Sequence, residues 1–345
     1  MTSQFGLFPQ PVLSLRDYQQ AALEAVHAYQ AKGGRRALVA LPTGTGKTIL
    51  FAQFPRMFPG GRLLVLAHRE ELLDQAADKL HQADPRLSVG IEQADRHAPM
   101  DAQVIVASIQ TFAMSPRRLE ALDPSRFAVV VVDEAHHVMA RTYLEVLGHF
   151  GLAPDILDLK ASDLERKQVN QEVRKRFERF VPDREAPLLV GFTATPSRTD
   201  GRGLEWVFDD IVYSRSIREM MEAEWLCPTR GIRLRTSTDI SEVHTRGGDF
   251  AEGELAQAVN TPERNALAVS AYLSHAAGRQ ALVFCVDVEH TRAVLAVFRA
   301  AGVNAGMVIG TTAADLRSQT VRDYREGRLQ VLVNCMVLTE GFDAP

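Results

Sequence analysis

Six consecutive apolar residues, Phe127–Val132, run straight into Asp133 and Glu134. The run is far below the roughly 18 residues that a membrane span needs, and it does not alternate as a half-exposed strand would. It fits a strand buried on both faces, the condition of a parallel sheet covered by helices. Four similar runs, at residues 37–40, 63–67, 104–107 and 188–192, are separated by stretches of helical spacing. Residues 16–30 place Ala21, Ala25, Val26 and Tyr29 on one stripe, and residues 70–80 do the same with Leu72, Leu73, Ala76 and Leu80. Further along, strands are predicted at 281–286, 305–309 and 331–337, with helices over 290–300 and 314–327. The predicted fold is therefore α/β, with two tandem parallel-sheet domains over residues 1–218 and 263–345 and a linker over 219–262.

Charge and cysteine content narrow the function. The 345 residues carry 39 Lys and Arg against 43 Asp and Glu, a net charge of −4, so no global positive field attracts nucleic acid and any such contact needs a local surface. Cys227, Cys285 and Cys335 are scattered and form no C-x-x-C pair, which fits a reducing compartment and argues against zinc or iron–sulfur sites. A metal in this chain is expected on oxygen ligands. The opening residues show no basic-then-apolar leader, so the expectation is a soluble protein of the bacterial cytoplasm, associated with the nucleoid. Residues 155–184 are densely and almost evenly charged, and the Arg174-Lys175-Arg176 cluster reads first as a solvated helix face.

Three motifs carry the chemistry, each at a strand end. Leu41-Pro42-Thr43-Gly44-Thr45-Gly46-Lys47-Thr48 has the composition of a phosphate-binding loop. Gly44 and Gly46 allow backbone N–H groups to converge on phosphate oxygens, Lys47 neutralises their charge, and the Thr48 hydroxyl suits Mg²⁺. Asp133 and Glu134 end the apolar run, where a buried carboxylate needs a cation. Asp133 therefore suits Mg²⁺, and Glu134 suits the general base that polarises a water. His136 reads as a coupling residue. In Gly191-Phe192-Thr193-Ala194-Thr195, the hydroxyls of Thr193 and Thr195 are placed to bond the Asp133–Glu134 loop.

Together these residues resemble superfamily 2 DNA helicases and translocases of the DEAH type, which are built from two RecA-like P-loop domains. RadD-like proteins and the mitochondrial branched-DNA helicases are the nearest in motif detail. Several shorter sequences strengthen the resemblance: L-R-D-Y-Q at 15–19, A-H-R-E-E-L at 67–72, D-E-A-H-H at 133–137, R-G-G-D-F at 246–250 and L-T-E-G-F-D-A-P at 338–345. The resemblance implies ATP and Mg²⁺ as cofactors, with Arg16 and Gln19 reading adenine and Thr43, Thr45, Gly341 and Asp343 also lining the nucleotide. It implies backbone contacts to branched or double-stranded DNA through Arg69, Gln110, Thr111, Thr311 and Thr339, with RNA as the alternative strand. A role in repair or recombination is expected; the motor subunit of a restriction or phage-defence system, and an ATP-gated DNA clamp, are the alternatives. The family's Q-x-x-G-R-x-x-R arginine motif is absent from these 345 residues. The second domain is accordingly expected to be incomplete and turnover to be slow, since such arginines are worth on the order of 10³–10⁵ in rate.

Overall fold

The computed structural model describes residues 14–67, 70–158, 171–183, 185–196, 204–246 and 249–338. They form two compact units, Met1–Thr229 and Arg230–Pro345. The division falls inside the span expected as a linker. That span is less featureless than its composition suggests: it holds a short antiparallel pair, β8 (Thr245–Arg246) with β9 (Asp249–Phe250), and a helix, Glu252–Val259.

The first unit is built on β1 (Arg36–Ala40), β2 (Arg62–Ala67), β3 (Val89–Glu92), β4 (Val104–Ser108), β5 (Phe127–Val132), β6 (Leu188–Thr193) and β7 (Asp210–Ser214). They lie in the order β3-β4-β2-β5-β6-β1-β7, and every neighbouring pair is parallel. The central strands are buried along their length apart from the half-buried Ala128 of β5, as their unbroken apolar runs require. One face packs Leu64, Leu66, Val130, Val132 and Leu189 into a core with Tyr143, Leu147 and Phe150; the other packs Val39, Val65, Val131 and Val190 with Phe51, Phe54 and Leu80. The helix α1 (Asp17–Ala31) lies in this second layer through Tyr18, Ala22, Leu23 and Val26.

The sequence pattern missed two strands, β3 and β7. Both are edge strands, and neither has a continuous apolar run: β3 alternates between half-buried and buried, and β7 is exposed at Asp210, Ile211 and Ser214. In the charged segment, Gln171–Arg179 is helical and inserts Val173 and Phe177 into the first core. Arg174 pairs with Glu178 at 2.7 Å and Arg176 with Asp158 at 2.6 Å, so much of the cluster's charge is neutralised within the chain.

The second unit has its own parallel sheet, β10 (Ala281–Phe284), β12 (Val331–Asn334) and β11 (Ala305–Val308) in that order. Helices Pro262–His275 and Val288–Ala300 bring Val269, Tyr272, Val294 and Phe298 onto one face. Tyr324, from the helix Ala314–Arg325, joins Val308 and Leu332 in a smaller cluster. Among the described residues no helix is long and apolar enough to cross a membrane.

Candidate functional site

The strand order decides what meets at the C-terminal edge of the first sheet. The phosphate loop follows β1 and the Asp133–Glu134 turn follows β5, but β6 lies between those two strands. Its last residue, Thr193, is therefore flanked by both loops. The Thr193 carbonyl accepts the Leu41 N–H at 2.9 Å, fixing the start of the phosphate loop. Its buried hydroxyl stands 3.4 Å from His136 Nδ1 and accepts the Thr195 N–H at 3.1 Å.

Glycine sets the curvature of the phosphate loop. Gly44 (φ 83°) and Gly46 (φ 76°) both occupy the left-handed region, which L side chains rarely adopt. A Cβ at Gly46 would also stand 2.9 Å from the Gln19 amide nitrogen. Thr45, fully buried, donates its hydroxyl to Pro42 O at 2.7 Å and closes the loop on itself. Thr43 is exposed and Thr48 partly so, at the start of helix α2 (Lys47–Phe51). Lys47 is 9% exposed, and its ammonium stands 3.6 Å from Glu134 Oε1 with no hydrogen-bond partner among the described residues. A buried ammonium at ion-pair rather than hydrogen-bond distance from its carboxylate, beside two left-handed glycines, is a site shaped for an anion, so these residues fit the phosphates of a nucleotide.

Opposite lies the carboxylate pair. The Asp133 N–H donates to Leu66 O at 3.1 Å, continuing the ladder by one residue, and Asp133 Oδ1 accepts the Glu134 N–H at 3.0 Å. Burial pushes the Asp133 carboxyl up to about 6, the Glu134 charge adds to this, and Lys47 opposes it. Burial acts on Glu134 in the same direction, but His136, 3.4 Å from its Oε2, and Lys47 more than offset it, and the carboxyl is held below its usual value. Two neighbouring acids thus have different protonation tendencies, one poised for a cation and one kept ionised. Glu134 itself is left-handed (φ 49°, ψ 54°), a costly conformation for a residue with a side chain. The turn is held from beneath by Gly191, where a Cβ would stand 2.3 Å from the Phe208 ring and 2.9 Å from Ala135 Cβ. The His137 ring packs on that of His136, with centroids 4.1 Å apart.

The expected adenine-reading residues lie against the same loop. Gln19 is buried, its Nε2 donating to Thr45 O at 3.1 Å and its Oε1 accepting the Arg16 N–H at 3.0 Å. Arg16 is exposed. Of the expected nucleic-acid contacts in this unit, Gln110 is exposed and accepts the Ser108 hydroxyl at 2.8 Å. Thr111 instead is 7% exposed and its hydroxyl accepts the Ala94 N–H at 3.2 Å, tying down the turn after β3. Thr311 is exposed on the second unit. Arg69, Thr339, Gly341 and Asp343 lie outside the described residues. Sequence reasoning missed Tyr18, whose hydroxyl donates to the same Thr45 carbonyl at 2.6 Å; the signal was an aromatic next to Gln19 at the start of a helix.

Residues 12–198, more than half of the chain, match the family described as "Type III restriction enzyme, res subunit". The chain belongs to this family. As a res-subunit homologue it falls within superfamily 2, and residues 264–345 match the "Helicase conserved C-terminal domain". It is 34% identical over 98% of its length to the Schizosaccharomyces pombe protein named "Putative mitochondrial ATP-dependent helicase irc3", and 33% identical over 96% to the Saccharomyces cerevisiae protein named "Putative ATP-dependent helicase IRC3". The chain spans about half the length of these relatives, 52% and 45% respectively. A structure of S. cerevisiae Dbp5 bound to RNA and ADP BeF3 shares the fold, with TM-score 0.55 and 18% identity, covering 95% of this res-subunit homologue and 72% of the other chain.

Proposed function

We propose that this chain is the nucleotide-driven core of a DNA helicase or translocase that couples ATP hydrolysis to movement on DNA. The observation that carries the reading is the buried Lys47 ammonium, 3.6 Å from Glu134 and without a hydrogen-bond partner among the described residues, beside the Gly44–Gly46 cradle.

In the proposed reaction the loop N–H groups and Lys47 hold the triphosphate, and Lys47 exchanges its contact with Glu134 for phosphate oxygens. Thr48 and Asp133 would hold Mg²⁺, which supplies charge neutralisation on the transferring phosphoryl group. Glu134, kept ionised by His136, polarises the attacking water. Departure of the cleaved inorganic phosphate changes the charge facing Glu134 and His136, and Thr193 is placed to register it through its hydroxyl, 3.4 Å from His136 Nδ1. DNA as the strand is supported by the motif resemblance and by family membership, with Gln110 and Thr311 as exposed contact candidates.

Steady-state ATP hydrolysis by the chain, with duplex DNA, branched DNA or RNA added in turn, tests the reading. Stimulation by DNA that disappears in Lys47→Ala supports it. Stimulation by RNA alone makes the chain an RNA motor, and hydrolysis untouched by Lys47→Ala removes the assigned site. The family match favours one further reading, the motor of a restriction system; a nuclease or methyltransferase that co-purifies with the protein would point there.

A further inference from the structure

Trp225, outside the motifs, joins Arg16 and Tyr18 in an aromatic and cationic cluster that touches the phosphate loop from the side of α1. Trp225 is partly buried against the second core, and its backbone is fixed by a tight turn: the Trp225 and Leu226 N–H groups both donate to Met220 O, at 2.9 and 3.0 Å, after the left-handed Glu224 (φ 61°). The Arg16 guanidinium lies over the indole at 5.1 Å, and the Tyr18 ring meets it edge-on at 5.6 Å. Arg16 Nη1 donates to the Tyr18 hydroxyl at 3.2 Å, and that hydroxyl donates to Thr45 O at 2.6 Å. The next residue, Leu226, approaches the same loop: a Cβ at Gly44 would stand 3.6 Å from Leu226 Cδ2.

We propose that Trp225 is a positioning residue of the nucleotide site: it holds Arg16 and Tyr18 against Thr45 while its neighbour Leu226 backs Gly44, so the shape of the phosphate loop and the position of residues 225–226 are set together. The inference rests on the nucleotide reading above. Thr45 sits between the two left-handed glycines, so its carbonyl direction follows any change in the loop's curvature. Two donors, from Tyr18 and Gln19, converge on that carbonyl, and a loop that reshapes around phosphate must carry them or lose them. Residues 225–226 lie just ahead of Arg230, where the second unit begins, so a displacement there enters the chain that joins the units. Linkage makes the effect reciprocal: whatever restrains Trp225 changes nucleotide affinity by the same factor that nucleotide changes the restraint.

The test is binding of a fluorescent ADP analogue with Mg²⁺ to the whole chain, comparing wild type with Lys47→Ala, Tyr18→Phe, Trp225→Phe and Trp225→Leu, each checked by thermal melting. Loss of one hydrogen bond or one cation–π contact predicts affinity weakened about five- to tenfold in Tyr18→Phe and Trp225→Leu, and about twofold in Trp225→Phe. The Tyr18→Phe/Trp225→Leu double variant is expected within about twofold of the weaker single, because both break one chain of contacts. Trp206 and Trp225 are the two tryptophans, so in Trp206→Phe the emission belongs to Trp225 and is expected to shift when MgADP is added. Wild-type binding that Lys47→Ala abolishes upholds the site. With that in hand, Trp225→Leu affinity within twofold of wild type together with silent Trp225 emission overturns the positioning role. If Trp225→Leu does not fold, unchanged affinity in both Trp225→Phe and Tyr18→Phe overturns it instead. A folded wild type that binds no nucleotide overturns the site reading and this inference with it.

Discussion

The Thr193 hydroxyl lies 3.4 Å from His136 Nδ1, while the Thr193 carbonyl accepts the N–H that opens the phosphate loop. One residue therefore touches both sides of the candidate site. Thr193→Val keeps the strand and its carbonyl but removes the hydroxyl. The expected outcome is unchanged nucleotide affinity with DNA-stimulated turnover reduced about tenfold, the size of one buried hydrogen bond. Equal stimulation in variant and wild type would remove Thr193 from the coupling path.

Glu134→Gln removes the carboxylate that His136 and Lys47 hold ionised. Turnover should fall about 10²–10⁴-fold, the usual contribution of a general base, with nucleotide binding retained. Single-turnover measurements separate the two, and normal turnover in this variant would assign the base elsewhere.

Gly191→Ala places a Cβ 2.3 Å from the buried Phe208 ring and 2.9 Å from Ala135. Neither neighbour can yield freely, so a cost of about 1–3 kcal/mol is expected in denaturant unfolding. The Asp133–Glu134 turn should shift as well, lowering turnover in the fraction that folds.

Thr111 and Gln110 should separate cleanly. Thr111→Val leaves the Ala94 N–H without its acceptor, so stability should drop by about 1–3 kcal/mol while DNA affinity is unchanged. Gln110→Ala should do the reverse, weakening DNA binding at low salt without altering the melt. A strong loss of DNA affinity in a fully folded Thr111→Val would return that residue to the interface.

Thiol labelling reads the packing of the second unit. Burial pushes the Cys285 thiol up to about 11, whereas Cys227 is exposed. Because the thiolate is the reacting form, Cys285 labelling in the folded chain should rise about tenfold per pH unit from 7 toward 11 and stay far behind Cys227 at pH 8. Equal rates at pH 8, measured by mass spectrometry, would show that the second unit opens readily.

Much of this architecture is written in local runs. The apolar stretches at β1, β2, β4, β5 and β6 mark buried strands because both faces of each are covered, and the glycines of the phosphate loop announce a turn that only glycine tolerates. Edge strands β3 and β7 escape such reading because one side of each pairs with nothing in the sheet and polar residues are tolerated there. The site is legible in its members but not in its contacts. That Thr193 meets both Leu41 and His136 depends on β6 entering between β5 and β1, a long-range choice that no local pattern encodes. The left-handed Glu134 and the buried Thr111 are likewise products of tertiary packing.

The late insertion of β6 also has a consequence for synthesis. On the ribosome, β1 and β5 emerge well before residues 188–193, and until then the lane between those two strands is vacant. At about 5–20 residues per second, the interval between β1 and β6 is on the order of ten seconds. Through that interval the nascent chain carries the Leu41–Thr48 loop without the strand that anchors its first residue, so the candidate nucleotide pocket is completed only after Thr193 has left the exit tunnel.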